Sequence, residues 1–65
     1  MTDQITITIE TGNAAFEEAG TGQEVARILR KLADQIEEWP GASAFKVGLR
    51  DVNGNRVGWC DAQPS

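Results

Sequence analysis

TGQEVARILRKLADQIEEW, Thr21 to Trp39, is the stretch whose reading decides the fold. Val25, Ile28, Leu29, Leu32, Ile36 and Trp39 recur at mainly three- and four-residue steps and make one apolar stripe on a helix. Arg27, Arg30, Lys31, Asp34, Glu37 and Glu38 fall mostly on the other side. Such a stripe must be covered, and the two flanking β-like segments are the surface available to cover it. Thr21 and Glu24 have the T-x-x-E spacing of a capping box, so the helix is expected over about residues 22–38. Pro40 disfavours helical geometry at Trp39, and Gly41 permits the reversal that follows.

Upstream, QITITIE (Gln4–Glu10) alternates β-branched residues with a period of two and predicts a strand over residues 4–10. Ile5, Ile7 and Ile9 should face the helix, with Thr6, Thr8 and Glu10 on the opposite face. TGNAAFEEAG (Thr11–Gly20) breaks that alternation. Gly12-Asn13 can turn the chain, AAFEEA can form one short helical turn, and Phe16 is placed as a lid over an open edge of the core.

Downstream, AFKVGLRD (Ala44–Asp51) puts Phe45, Val47 and Leu49 on one face and Lys46, Gly48 and Arg50 on the other. A hairpin over residues 44–60 follows, and its turn sets the register. A two-residue Asn53-Gly54 turn would send Val57 and Trp59 to the wrong face. A type I turn on Asp51–Gly54, with Gly54 left-handed, instead pairs Leu49 with Val57 and Val47 with Trp59. On the outer face that register sets Gly48 against Gly58, Arg50 against Arg56 and Lys46 against Cys60. The tail Asp61–Ser65 is expected to fray.

The fold class is therefore α/β of the α+β type, ordered β-α-β-β, with one amphipathic helix on one face of a small three-stranded sheet. Residues 1–65 form a single domain. Either neighbour is open to the first strand: beside the second strand it would run parallel, beside the third antiparallel.

Size and composition narrow the function. A single core this small supplies only ~3–5 kcal/mol, and no covalent or metal staple is visible. Cys60 is the only cysteine and there is no histidine, so neither an internal disulfide nor a good zinc site is expected. No catalytic, cofactor-binding or metal-ligating residue stands out. Self-association is the natural remedy, and a homodimer is expected. Six basic against ten acidic residues give a formal charge of −4, which makes nucleic acid an unlikely partner. No signal-peptide pattern opens the chain, and no apolar run approaches the ~20 residues that cross a bilayer. With a free thiol, this fits the cytoplasm and no membrane association.

The facing glycines suggest a partner or dimer interface. Gly48 and Gly58 would floor a smooth dent beside Thr6 and Thr8, rimmed by Arg50, Arg56 and Lys46, with Cys60 at the strand end. Like charges at Arg50 and Arg56 want an acidic neighbour, and Asp51 and Glu10 are the internal choices. Arg27, Arg30 and Lys31 read as a solvated face in which Glu24 pairs with Arg27 and Arg30 with Asp34. Trp39 and Trp59 read as core or core-edge residues.

Three strings together, ITIETGNAAF (residues 7–16), EVARILRKLADQIE (24–37) and LRDVNGNRVG (49–58), resemble a group of small proteins of bacteriophage and prophage genomes. The short acidic, proline-containing loop that follows Phe16 in that group is EEAGTG here. The resemblance implies a phage accessory protein acting in the cytoplasm of the bacterial host, and it brings no catalytic residues with it. The expected function is non-enzymatic: binding a host protein, such as a defence or regulatory factor, through the open sheet face or a strand edge. The alternative is a nucleic-acid-associated accessory protein using Arg27, Arg30 and Lys31, or Arg50 and Arg56.

Overall fold

The computed structural model describes residues 4–41 and 43–63. In chain order these form β1 (Gln4–Ile9), α1 (Ala14–Ala19), α2 (Thr21–Glu37), β2 (Phe45–Arg50) and β3 (Arg56–Gln63). The sheet order is β1-β3-β2, so the first strand lies beside the third and every neighbouring pair is antiparallel. β1 and β2 thus flank β3, a split β-α-β arrangement. A helix about 10 Å wide spans roughly two strand spacings of ~4.8 Å, which leaves room for β3 between the strands it connects.

The core is built from Ile28 and Leu32 of α2, Phe16 of α1, Leu49 of β2, and Val57 and Cys60 of β3. Asn13 starts α1 by accepting a hydrogen bond from the Ala15 N–H at 3.1 Å. That short helix drives Ala15 and Phe16 into the interior, where the sequence placed Phe16 as a lid. Gly20, at φ 89°, both ends α1 and caps α2. Because α2 begins one residue early, Thr21 and Glu24 do not form the expected capping box, and the α2 cap carries no side-chain hydrogen bond. At the far end Gly41 takes φ 87° for the reversal. There the Trp39 indole N–H donates to the Ser43 carbonyl at 2.8 Å and the ring packs on Phe45, 5.5 Å between centroids. Trp39→Phe should therefore lower unfolding stability by about 1 kcal/mol in a urea titration.

The hairpin departs from the expected register. Its turn is the one the residues call for: the Gly54 N–H donates to the Asp51 carbonyl at 3.0 Å, Gly54 sits at φ 84°, and Arg50 opposes Arg56. An irregularity at Leu49/Arg50 then moves the ladder by one residue, so Leu49 opposes Gly58, Gly48 opposes Trp59, Val47 opposes Cys60 and Lys46 opposes Asp61. The reason lies beyond residue 60. β3 continues to Gln63 instead of fraying, and the unshifted register would have carried Asp61 to the core face. The shift keeps Val57 inside, adds Cys60 and Ala62 to the buried set, and turns Trp59 outward at 44% exposure.

Candidate functional site

The outer face of the sheet carries Thr6 and Thr8 from β1, Trp59 and Asp61 from β3, and Lys46 and Gly48 from β2, in the cross-strand rows Thr8–Trp59–Gly48 and Thr6–Asp61–Lys46. Of the residues named from sequence for an interface, Thr6, Thr8, Gly48, Arg56 and Lys46 do meet on this face. Cys60 and Gly58 do not belong to it. Cys60 is wholly buried among core side chains, and burial pushes its thiol pKa up with help from neighbouring Asp61, which makes it a poor nucleophile. Gly58 packs against β1: a Cβ there would lie 1.8 Å from the Thr8 carbonyl oxygen. The two glycines thus share no dent. The Arg56 guanidinium lies over Gly48, whose Cβ would stand 2.9 Å from Arg56 Nε and Nη2. Arg56 and Trp59 separate two shallow hollows, one of about 440 Å³ shared with Lys46 and Asp61, the other of about 390 Å³ shared with Glu10 and Asn13.

Arg50 and Arg56 resolve their repulsion by diverging rather than by sharing an acid. Arg50 donates from Nη1 to the Gly54 carbonyl at 3.0 Å, toward the turn, while Arg56 runs back over β2. Asp51 is bound up elsewhere. Its carboxylate is buried and accepts from Asn13 Nδ2 at 2.6 Å and from the Asn53 and Asn55 N–H groups, both at 2.9 Å. Burial alone would raise its pKa; these donors, the Asn55 N–H first, outweigh that and hold it below the usual range.

Glu24, expected on a helix end in solvent, is buried as well. It pairs with Arg27 through two hydrogen bonds, Nε to Oε1 at 2.8 Å and Nη2 to Oε2 at 2.9 Å, and accepts the Val52 N–H at 2.8 Å. The Arg27 contact is the main reason the Glu24 carboxyl sits below, and the guanidinium above, its ordinary pKa. Arg27 also donates to the Arg50 carbonyl at 3.2 Å. Asn13, Glu24, Arg27 and Asp51 therefore clasp the hairpin tip to both helices. The expected Glu24–Arg27 pair is the one ion pair among the described residues, and Arg30–Asp34 does not form.

Between α2 and β2 lies a cleft of about 440 Å³ rimmed by Arg27, Lys31, Gln35 and Arg50. Its one carboxylate, Asp51, has its oxygens occupied by amide donors, so the cleft offers no free acid or base pair. Among the described residues no group of three or more acidic or thiol side chains is placed to hold a metal, and no helix is long and apolar enough to cross a membrane.

Sequence reasoning missed Trp59 as a surface residue. It also missed the exposure of Ile5, at 51%, and Ile7, at 42%, on the core-side face of β1. Only Ile9 of that strand packs against the core. The signal for Trp59 was available: Cys60, Asp61, Ala62 and Gln63 alternate apolar and polar, and that parity points Trp59 outward.

Fold and surface together define a small α+β domain with an open antiparallel sheet whose bare face is centred on a tryptophan. No protein-family model, curated protein or solved structure matches this chain.

Proposed function

We propose that this chain is a non-enzymatic protein-binding module, a phage accessory protein that covers a surface of a host defence or regulatory protein. The observation that carries this reading is Trp59, half exposed in the middle strand of a sheet face left open to solvent and flanked by hollows and by Arg56. Tryptophan and arginine are among the residues that most often dominate binding energy at protein interfaces, and a strand presents them on a backbone that is already ordered. The face also carries charges of both signs, Lys46 and Arg56 with Asp61, which suits a mixed protein surface better than a polyanion. The basic residues that nucleic-acid binding would need are partly engaged, Arg27 by Glu24 and Arg50 by the turn.

The test is quantitative affinity capture from bacterial lysate with the intact protein, compared with Trp59→Ser. A specific partner should be retained by the native chain and bound roughly 30-fold more weakly by the variant, the size of a hot-spot loss. Circular dichroism should stay unchanged, since the indole makes no core contact. Equal retention by both proteins removes the face from consideration. Binding to DNA or RNA that falls steeply with salt would replace this reading with the nucleic-acid one.

A further inference from the structure

We propose that two copies of this chain join edge to edge through β1, making one continuous six-stranded antiparallel sheet. β1 is an edge strand, bonded on one side to β3. The Glu10 N–H donates to the Val57 carbonyl at 2.8 Å, and the Thr8 carbonyl is the atom a Cβ at Gly58 would strike, so the even-numbered residues turn their polar groups toward β3. By the two-residue period of a strand, Ile5, Ile7 and Ile9 turn theirs to the open edge.

Natural edge strands are usually protected by lysine, proline, a bulge or very short length. QITITI has none of these: it is six residues of regular strand with no charge, in a chain of net charge −4. The strand is also complementary to itself. With a twofold axis through Ile7, Ile5 of one copy opposes Ile9 of the other, Ile7 opposes Ile7, Thr6 opposes Thr8, and Gln4 opposes Glu10. Every isoleucine then lies on one face and every threonine on the other, and threonine–threonine and β-branched pairs are favourable cross-strand neighbours.

The side chains call for the same seam. Ile5 and Ile7 are exposed on the face that the helices cover elsewhere, and pairing would join them with their counterparts into one apolar strip between the two cores. The molecule is elongated, 40 × 20 × 17 Å with a Cα radius of gyration of 12.8 Å, against about 11 Å for a compact domain of this length. β1 is the flank that a single copy leaves thinly covered. Such a short seam is smaller than the standard ~800 Å² per partner, which sets the expected affinity in the micromolar range. The dimer does not depend on the host-binding reading, though it would place two copies of Trp59 on one outer surface.

The experiment is light scattering and sedimentation across dilution, with charge-swapped variants. The native chain should pass from 7.0 kDa to twice that mass as concentration rises through the micromolar range. Ile7→Lys and Ile7→Glu, at an exposed side chain, should each stay monomeric with native circular dichroism. Mixed, they should form a dimer again. Trp59→Ser should dimerise like the native chain. Amide exchange on the native protein provides the reading that needs no variant: the Ile7 N–H should be protected at high concentration and exchange freely on dilution. A native chain that is monomeric at high micromolar concentration overturns the proposal. So does a dimer with an unprotected Ile7 amide, or one that Trp59→Ser abolishes.

Discussion

Replacing Gly58 with alanine should leave the chain unfolded, whereas alanine at Gly48 should be tolerated within about 1 kcal/mol. The contrast follows from what each new methyl would meet. At position 58 it would lie 1.8 Å from the Thr8 carbonyl oxygen and 3.0 Å from the Ile9 Cα, both backbone atoms of the neighbouring strand. No rotamer change clears such a contact, so β1 must move away from β3 or the β3 shift must be undone. Overpacking against side chains costs about 1–3 kcal/mol, and a backbone collision costs more. A domain of this size has only ~3–5 kcal/mol to lose. At position 48 the methyl would meet the far end of the Arg56 side chain, which can swing away. Circular dichroism and urea titration of the two variants decide the matter. A Gly58→Ala protein with a near-native midpoint would show that β1 and β3 do not approach as closely as described.

These two glycines also show where sequence reading stops. What depends on nearest neighbours was legible: the 3.6-residue stripe of α2, the isoleucine alternation of β1, and a turn fixed by Asp51 and Gly54. The register of β3 was not, because it is decided by the whole strand against two partners. Val57 and Cys60 are three positions apart, so burying both requires a one-residue slip between them, and a regular strand cannot supply it. Gly58 marked the slip, but in one strand pair considered alone it reads equally well as a dent in the outer face. Only with β1 alongside does its lack of a side chain become a requirement. Glu24 failed for a similar reason. A glutamate four positions into a helix looks like an end-cap, and nothing local announces that the Val52 N–H of a distant turn will be waiting for it. For the candidate site the consequence is direct: Arg56 and the threonines were placed on the correct face, while Arg50 turns to the cleft beside α2 and the site's centre, Trp59, was assigned to the core.

The buried carboxylates should make this protein acid-labile, with thermal stability flat from neutral pH to about pH 5 and collapsing as pH falls through and below 4. Glu24 and Asp51 have ordinary values of 4.5 and 3.8, and the fold holds both below them. The folded chain therefore releases these protons more readily than the unfolded one. Their contribution is complete above the ordinary values, and it is lost as pH drops through the depressed folded ones. Protonation of Asp51 would disturb the acceptors of the Asn13, Asn53 and Asn55 donors; protonation of Glu24 would break its ion pair with Arg27. Both losses fall on the clasp between hairpin tip and helices, so they should act together rather than add. Asp51→Ala, which removes the acceptor of two backbone N–H groups outright, should lower the neutral-pH unfolding midpoint by about ten degrees or more in so small a domain. Glu24→Gln keeps the shape but loses the charge, and should flatten part of the acid limb of the native profile. Midpoints followed by circular dichroism from pH 7 to pH 3 test this in the native chain and both variants. An acid limb as steep in Glu24→Gln and Asp51→Ala as in the native protein would mean that the titration controlling stability lies elsewhere.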